Sequence, residues 1–192
     1  APYEIVGVAF GLLSVWLTVK VSLWCWPIGI ISVAAFAILF FEIKLYADML
    51  LQIFFLVTSF LGWYYWLHGG REKAELPITT LSRPQVALLG VGLAISIYVV
   101  GYMFSTYTDA HIPFWDATAS GMSVLAQLLL MRKMLENWYL WIAVDILSIG
   151  IYIYKQVNLT AALYLIFLIL SIGGLLDWRR ALKTAPAAVE AA

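Results

Sequence analysis

Asn137, Trp141, Asp145, Ser148 and Tyr152 recur at three- and four-residue spacing, with Trp138 beside them. On a helix this spacing sets them on one face. A row of carboxyl, amide, hydroxyl and aromatic groups can hydrogen-bond a polar solute and offer ring faces to a cation. The rest of the segment is Leu, Ile and Val, as in a membrane-spanning helix. There a lipid-facing carboxylate costs about 2.5–3.5 kcal/mol. Asp145 lies about 10 Å along the helix from Trp138 at the span's start, too deep for the interface to explain it. Gln52 is equally deep in its own span. Two readings of Asp145 stay open: a structural hydrogen bond to Ser123, Gln127 or Tyr152, or a place in a shared wet cavity.

Three other segments carry similar stripes: Asp48, Gln52, Phe55, Ser59 and Trp63 with Tyr64 adjacent; Asp116, Ser120, Ser123 and Gln127; and Thr160, Tyr164, Phe167, Ser171 and Trp178. Bland roles compete for several of these residues. Trp63, Trp66, Trp138 and Trp178 fall near span ends and suit interfacial anchoring. Ser59, Ser171, Gly62 and Gly174 are small enough to let helices approach closely. Asp48 and Asp116 sit near outer ends, where a carboxylate is cheap.

The elements that must position these stripes follow from composition. The chain of 192 residues is 64% hydrophobic and 11% charged, whereas a soluble domain carries roughly a quarter charged residues. Its apolar residues come in long runs with short polar breaks, the pattern of a polytopic helical membrane protein. Seven spans are predicted, at 4–20, 24–41, 45–67, 85–104, 113–131, 138–154 and 160–178. Pro77 and Pro84 read as breakers in the loop after the third span, and Pro113 suits a first helical turn. The chain begins Ala-Pro rather than Met, which reads as a trimmed start. The first run lacks a basic leader and is too long for a signal-peptide core.

Lys44 and Lys155 fall on one side of these spans, and Lys20, Arg71, Lys73, Arg83, Arg132, Lys133, Arg179, Arg180 and Lys183 on the other. The positive-inside rule places the N-terminus outside and the C-terminus in the cytoplasm. Cationic and anionic residues balance at eleven each, so nucleic acid is not an expected partner. Cys25 is the only cysteine, and His68 and His111 lie in loops on opposite sides of the membrane. No metal, cofactor or catalytic pair is expected, and no phosphate-binding loop or nucleophile elbow occurs. No intramembrane Lys or Arg accompanies Asp145, which speaks against a phosphorylated, anionic substrate.

Sliding the chain on itself without a gap, so that Leu17 meets Leu129, also sets Trp26 on Trp138, Phe55 on Phe167, Ser59 on Ser171, Gly62 on Gly174 and Trp66 on Trp178. This predicts a first three-helix repeat at 4–67, a linker helix with flanking loops at 68–112, a second repeat at 113–178 and a tail at 179–192. With one span between them, both repeats enter the membrane from the same side. Such parallel repeats, as in SWEET proteins, place a substrate site near midplane between the two units.

The stretches "WCWPIGIISV", "YADMLLQIFFLVTSFLGWYYW", "AQLLLMRKMLENWYLWIAVDILSIGIYIYK" and "LTAALYLIFLILSIGGLLDWRR" together resemble the PnuC family of bacterial nicotinamide riboside transporters. The resemblance covers residues 10–180. It implies a SWEET-like all-α fold, residence in the bacterial inner membrane and a homotrimer. It also implies facilitated diffusion of the dephosphorylated vitamin, trapped afterwards by a separate cytoplasmic kinase. Relatives in the wider group carry thiamine or riboflavin, so a different vitamin is the alternative. The expected substrate contacts are Gln52, Trp63, Gln127, Asn137, Trp138, Trp141, Asp145 and Tyr152. Their aromatic faces suit a flat pyridinium, and their polar groups suit carboxamide and ribose.

Overall fold

The structure is a computed structural model that describes residues 2–42, 44, 46–107, 111–156 and 158–184. The described residues form seven α-helices: α1 Pro2–Val19, α2 Cys25–Glu42, α3 Tyr46–His68, α4 Arg83–Tyr107, α5 Pro113–Met131, α6 Asn137–Tyr154 and α7 Asn158–Thr184. Six of them are long and apolar enough to cross a membrane. The exception is α5, which carries Asp116, Ser120, Ser123 and Gln127. Pro2, Pro27, Pro84 and Pro113 all lie in first turns, where the missing N–H breaks no bond. For that reason Pro84 sits inside α4 instead of stopping short of it. The last helix, α7, runs past the predicted end of its span to Thr184, carrying Asp177, Arg179, Arg180 and Lys183 out on a helix. The predicted tail beyond it, 185–192, lies outside the described residues.

In sequence order α1 packs on α2, α2 on α3, α5 on α6 and α6 on α7, and contacts of α1 with α7 and of α3 with α5 close a six-helix ring. Helix α4 packs on α5. Its outer face is apolar, with Leu88, Val91, Ile95 and Tyr98 exposed, as lipid contact requires. Helix association in a bilayer rests on close packing rather than on burial from water. The core is accordingly small and concentrated at one end of the ring. There Trp26, Trp66, Trp138 and Trp178 form one buried cluster with Val19, Cys25 and Leu135.

Backbone features recur across this ring at the same offset that pairs Trp26 with Trp138. Val21 and Lys133 end α1 and α5 in the left-handed region (φ 56° each), as do Lys44 (61°) and Gln156 (60°) after α2 and α6. Such residues terminate helices by turning the chain back onto its last carbonyls. The Trp66 indole donates to the Leu130 carbonyl (3.0 Å) and the Trp178 indole to the Thr18 carbonyl (3.1 Å). Trp26 meets Trp66 edge-on at 5.3 Å and 90°, and Trp138 meets Trp178 at 5.5 Å and 87°. Gly62 and Gly174 face Trp26 and Trp138, and a Cβ on either would overlap the ring.

The segment between α3 and α4 is strapped across the tryptophan end. The Thr79 amide donates to the Lys133 carbonyl (3.2 Å), and its carbonyl accepts from the Leu135 amide (2.9 Å). The Leu81 amide donates to Glu136 Oε1 (2.9 Å), and Leu76 and Ile78 pack against the cluster. Those bonds satisfy main-chain groups that a loop lying over apolar rings would otherwise bury unpaired.

Candidate substrate cavity

A cavity of about 550 Å³ runs inside the ring, lined by α1, α2, α3, α5, α6 and α7 and by none of α4. That volume falls within the roughly 300–1,000 Å³ usual for small-molecule sites. One end reaches Glu4, Asp48 and Thr160 at the N-terminal ends of α1, α3 and α7. The other stops at Thr18, Cys25, Leu130 and the rings of Trp26 and Trp138. Behind that floor lie Trp66 and Trp178, both wholly buried. The cavity is therefore closed at the end where most basic residues gather. Lys133 in the α5–α6 turn is buried there with its ammonium 4.5 Å from the Trp66 ring centre. Burial lowers its pKa below the ordinary lysine value, and the charge of Glu75 opposes that shift.

Of the residues expected from sequence, Gln52, Gln127, Trp138, Trp141, Asp145 and Tyr152 line the cavity, and Trp63 and Asn137 do not. The α3 stripe outruns the cavity: Gln52, Phe55 and Ser59 face it, whereas Trp63, a turn further on, packs against the tryptophan cluster. Asn137 is wholly buried at the start of α6, where its Nδ2 donates to the Met134 carbonyl (2.6 Å). It holds the α5–α6 turn and does not face the cavity.

The polar groups of the wall are held by neighbouring helices. Asp145 Oδ2 accepts from Ser171 Oγ of α7 (2.8 Å), a partner different from the Ser123, Gln127 or Tyr152 that sequence suggested. Gln127 Nε2 donates to Thr58 Oγ1 of α3 (3.3 Å), so it spans the α3–α5 contact. Tyr152 stacks on Tyr164 of α7 with ring centres 5.3 Å apart and planes 22° from parallel. Near Asp48, Lys155 pairs with Asp116 (3.2 Å).

Sequence reasoning missed the whole α1–α2 wall, where Ser14, Thr18, Ser32, Val33 and Phe36 line the cavity. The signal was the three- and four-residue spacing of Ser14 with Thr18 and of Gly29, Ser32 and Phe36. Their hydroxyls are already committed to main chain: Ser14 to the Cys25 carbonyl (2.8 Å), Ser32 to that of Gly7 (2.6 Å) and Thr18 to that of Ser14 (2.9 Å).

Chemically, the wall joins aromatic faces, two amides and carboxyl groups, with no lysine, arginine or histidine among its lining residues. Among the described residues no cluster of His, Cys, Asp or Glu is placed to hold a metal. The arrangement suits reversible binding of a flat, polar, non-anionic solute.

Comparison with known proteins fits this geometry. The profile of the nicotinamide mononucleotide transporter family matches residues 1–180. The chain belongs to this family. As a member of the nicotinamide mononucleotide transporter family it is a membrane transporter and not an enzyme. Nicotinamide riboside transporter PnuC of Escherichia coli is 30% identical, over 91% of this chain and 84% of that protein. Riboflavin/roseoflavin transporter RibM of Streptomyces davaonensis is 24% identical, over 91% and 83%. A crystal structure of a vitamin B3 transporter PnuC superposes with a TM-score of 0.74 at 23% identity, covering 93% of this chain and 80% of that one. The last match speaks for a shared fold.

Proposed function

We propose that this transporter carries nicotinamide riboside into the bacterial cell by facilitated diffusion, with cytoplasmic phosphorylation trapping the product. The observation that carries this reading is the charge of the cavity: Asp48 and Asp145 line it, and lysine and arginine do not. The family takes its title from the mononucleotide and the Escherichia coli relative from the riboside, and the wall chemistry favours the riboside. A phosphate brings about −1.5 to −2 charges, which would go unpaired here, and burying an unpaired charge is costly. The riboside brings a pyridinium, for which Trp138, Trp141 and Tyr152 offer ring faces. Gln52, Gln127 and Asp145 offer partners for carboxamide and ribose.

The proposed architecture is two parallel three-helix repeats, α1–α3 and α5–α7, with α4 as linker and α5 as the seventh span. Exchanging the repeats turns the α1–α7 contact into the α5–α3 contact, and both contacts occur. The helix ends and tryptophans paired at the repeat offset support the same reading. The basic-residue asymmetry supports an outside N-terminus and cytoplasmic C-terminus, so the tryptophan floor is the inner gate. A homotrimer, implied by resemblance, belongs to the proposal and is checked by light scattering on the solubilised protein.

Titration calorimetry on purified protein tests the substrate, comparing nicotinamide riboside, nicotinamide mononucleotide, thiamine and riboflavin. The riboside is expected to bind and the mononucleotide not. Preference for riboflavin would support the second reading, which RibM motivates. In proteoliposomes held at zero membrane potential, substrate should equilibrate without accumulating under proton or sodium gradients.

A further inference from the structure

The cavity wall carries positions paired at the repeat offset, and the pairs differ in chemistry. Some members match, as Phe55 with Phe167 and Ser59 with Ser171; others do not, as Val33 with Asp145 and Val15 with Gln127. Two lining pairs differ in charge: Asp48 with Thr160 at the rim, where α3 and α7 begin, and Val33 with Asp145 in the middle of α2 and α6. Ser171 donates to Asp145 (2.8 Å), whereas its counterpart Ser59, equally buried, turns back to the Phe55 carbonyl (2.7 Å). By the repeat pairing, position 33 thus has a counterpart hydroxyl in Ser59, which also lines the cavity, and no carboxyl for it to hold.

We infer that the cavity has two related seats for a cationic ring, of which only the one at Asp145 is furnished, so that Val33 fixes the substrate's orientation. The cation lies toward α6 and α7, and the uncharged part of the solute lies toward α2 and α3. With carboxyls at both seats, a solute with one charge could bind in either of two orientations related by the repeat axis. With valine at 33, one orientation is lost for want of a counter-charge at that depth, because Glu4 and Asp48 stand at the rim where α1 and α3 begin. The same valine selects against solutes that would set a second positive charge at that depth, because an unpaired buried charge is strongly disfavoured. This inference rests on the riboside reading and on the repeat architecture above.

Moving the carboxyl tests it. Calorimetry on D145V should show riboside affinity falling tenfold or more. The double variant V33D/D145V should regain at least tenfold over D145V, and adding S59A should cancel that gain. A folded double variant that binds no better than D145V would overturn the inference. If instead the wild-type protein fails to bind the riboside, the functional reading fails first. A second measurement needs no variant. A crystal of the wild-type protein with a brominated pyridinium riboside should show one anomalous peak on the α6–α7 side. A peak beside Val33, or two peaks related by the repeat axis, would overturn the inference even if the double variant does not fold.

Discussion

Opening the proposed inner gate by a single methyl group is the sharpest test of how the tryptophan floor seals the cavity. An alanine Cβ at position 174 would lie 2.5 Å from the Trp138 ring, whereas carbon atoms rest about 3.5–4.0 Å apart. The ring must therefore retreat by about 1 Å. Its retreat is blocked, because Trp178 stands edge-to-face with it at 5.5 Å and is itself wholly buried. Overpacking of this kind costs about 1–3 kcal/mol. That cost falls on the closed state, in which the rings interlock, so the closed-to-open equilibrium shifts by roughly 5- to 150-fold.

Cys25 supplies the readout, since it is the only cysteine in the chain and is buried at this floor. Gly174→Ala should raise its maleimide labelling rate in inside-out vesicles by about that factor if labelling requires the gate to open. Gly62→Ala, which presses on Trp26 in the same way, should act alike. Unchanged labelling in both variants, with reagent shown to react after detergent unfolding, would refute the seal. A rise in one variant alone would keep the seal but remove the equivalence of its two halves.

Asp145→Asn keeps an acceptor for Ser171 Oγ while removing the charge; riboside affinity should fall by about 1–3 kcal/mol, measured by calorimetry. Equal affinity would show that the carboxyl serves only as a hydrogen-bond acceptor. Gln156 is exposed and holds φ 60° after α6, a conformation that favours glycine. Gln156→Gly should stabilise the protein by about 0.5–1 kcal/mol, seen as a higher midpoint on thermal unfolding. For topology, single cysteines at Tyr107 and Glu72 in a Cys25→Ser background should label from outside and from the cytoplasm respectively. The reverse pattern would invert the proposed orientation.

Helices were legible because lipid imposes a length and a composition that soluble packing does not; each begins within about two residues of its run, though α7 continues past the predicted end to Thr184. Cavity-lining residues were legible only where large polar groups break an apolar face, as Asp145, Gln127 and Gln52 do. The α1–α2 wall escaped because its polar residues, Ser14, Thr18 and Ser32, are small hydroxyls that also suit helix packing, and Val15 and Val33 look like lipid-facing residues. In sequence, a valine toward a cavity cannot be told from one toward an acyl chain. Trp63 and Asn137 fall outside the cavity lining for a related reason. Their spacing marks a face turned inward, and the inward face serves two purposes along its length, a cavity first and a seal beyond it. Where one gives way to the other depends on Trp26 and Trp66 meeting edge-to-face across helices α2 and α3, a contact between residues far apart in the chain. The strap at 74–82 was hidden more completely, since its hold on the α5–α6 turn is mainly through backbone groups. Backbone hydrogen bonds have no residue signature, so a segment that sequence reads as an ordinary loop can still brace the gate.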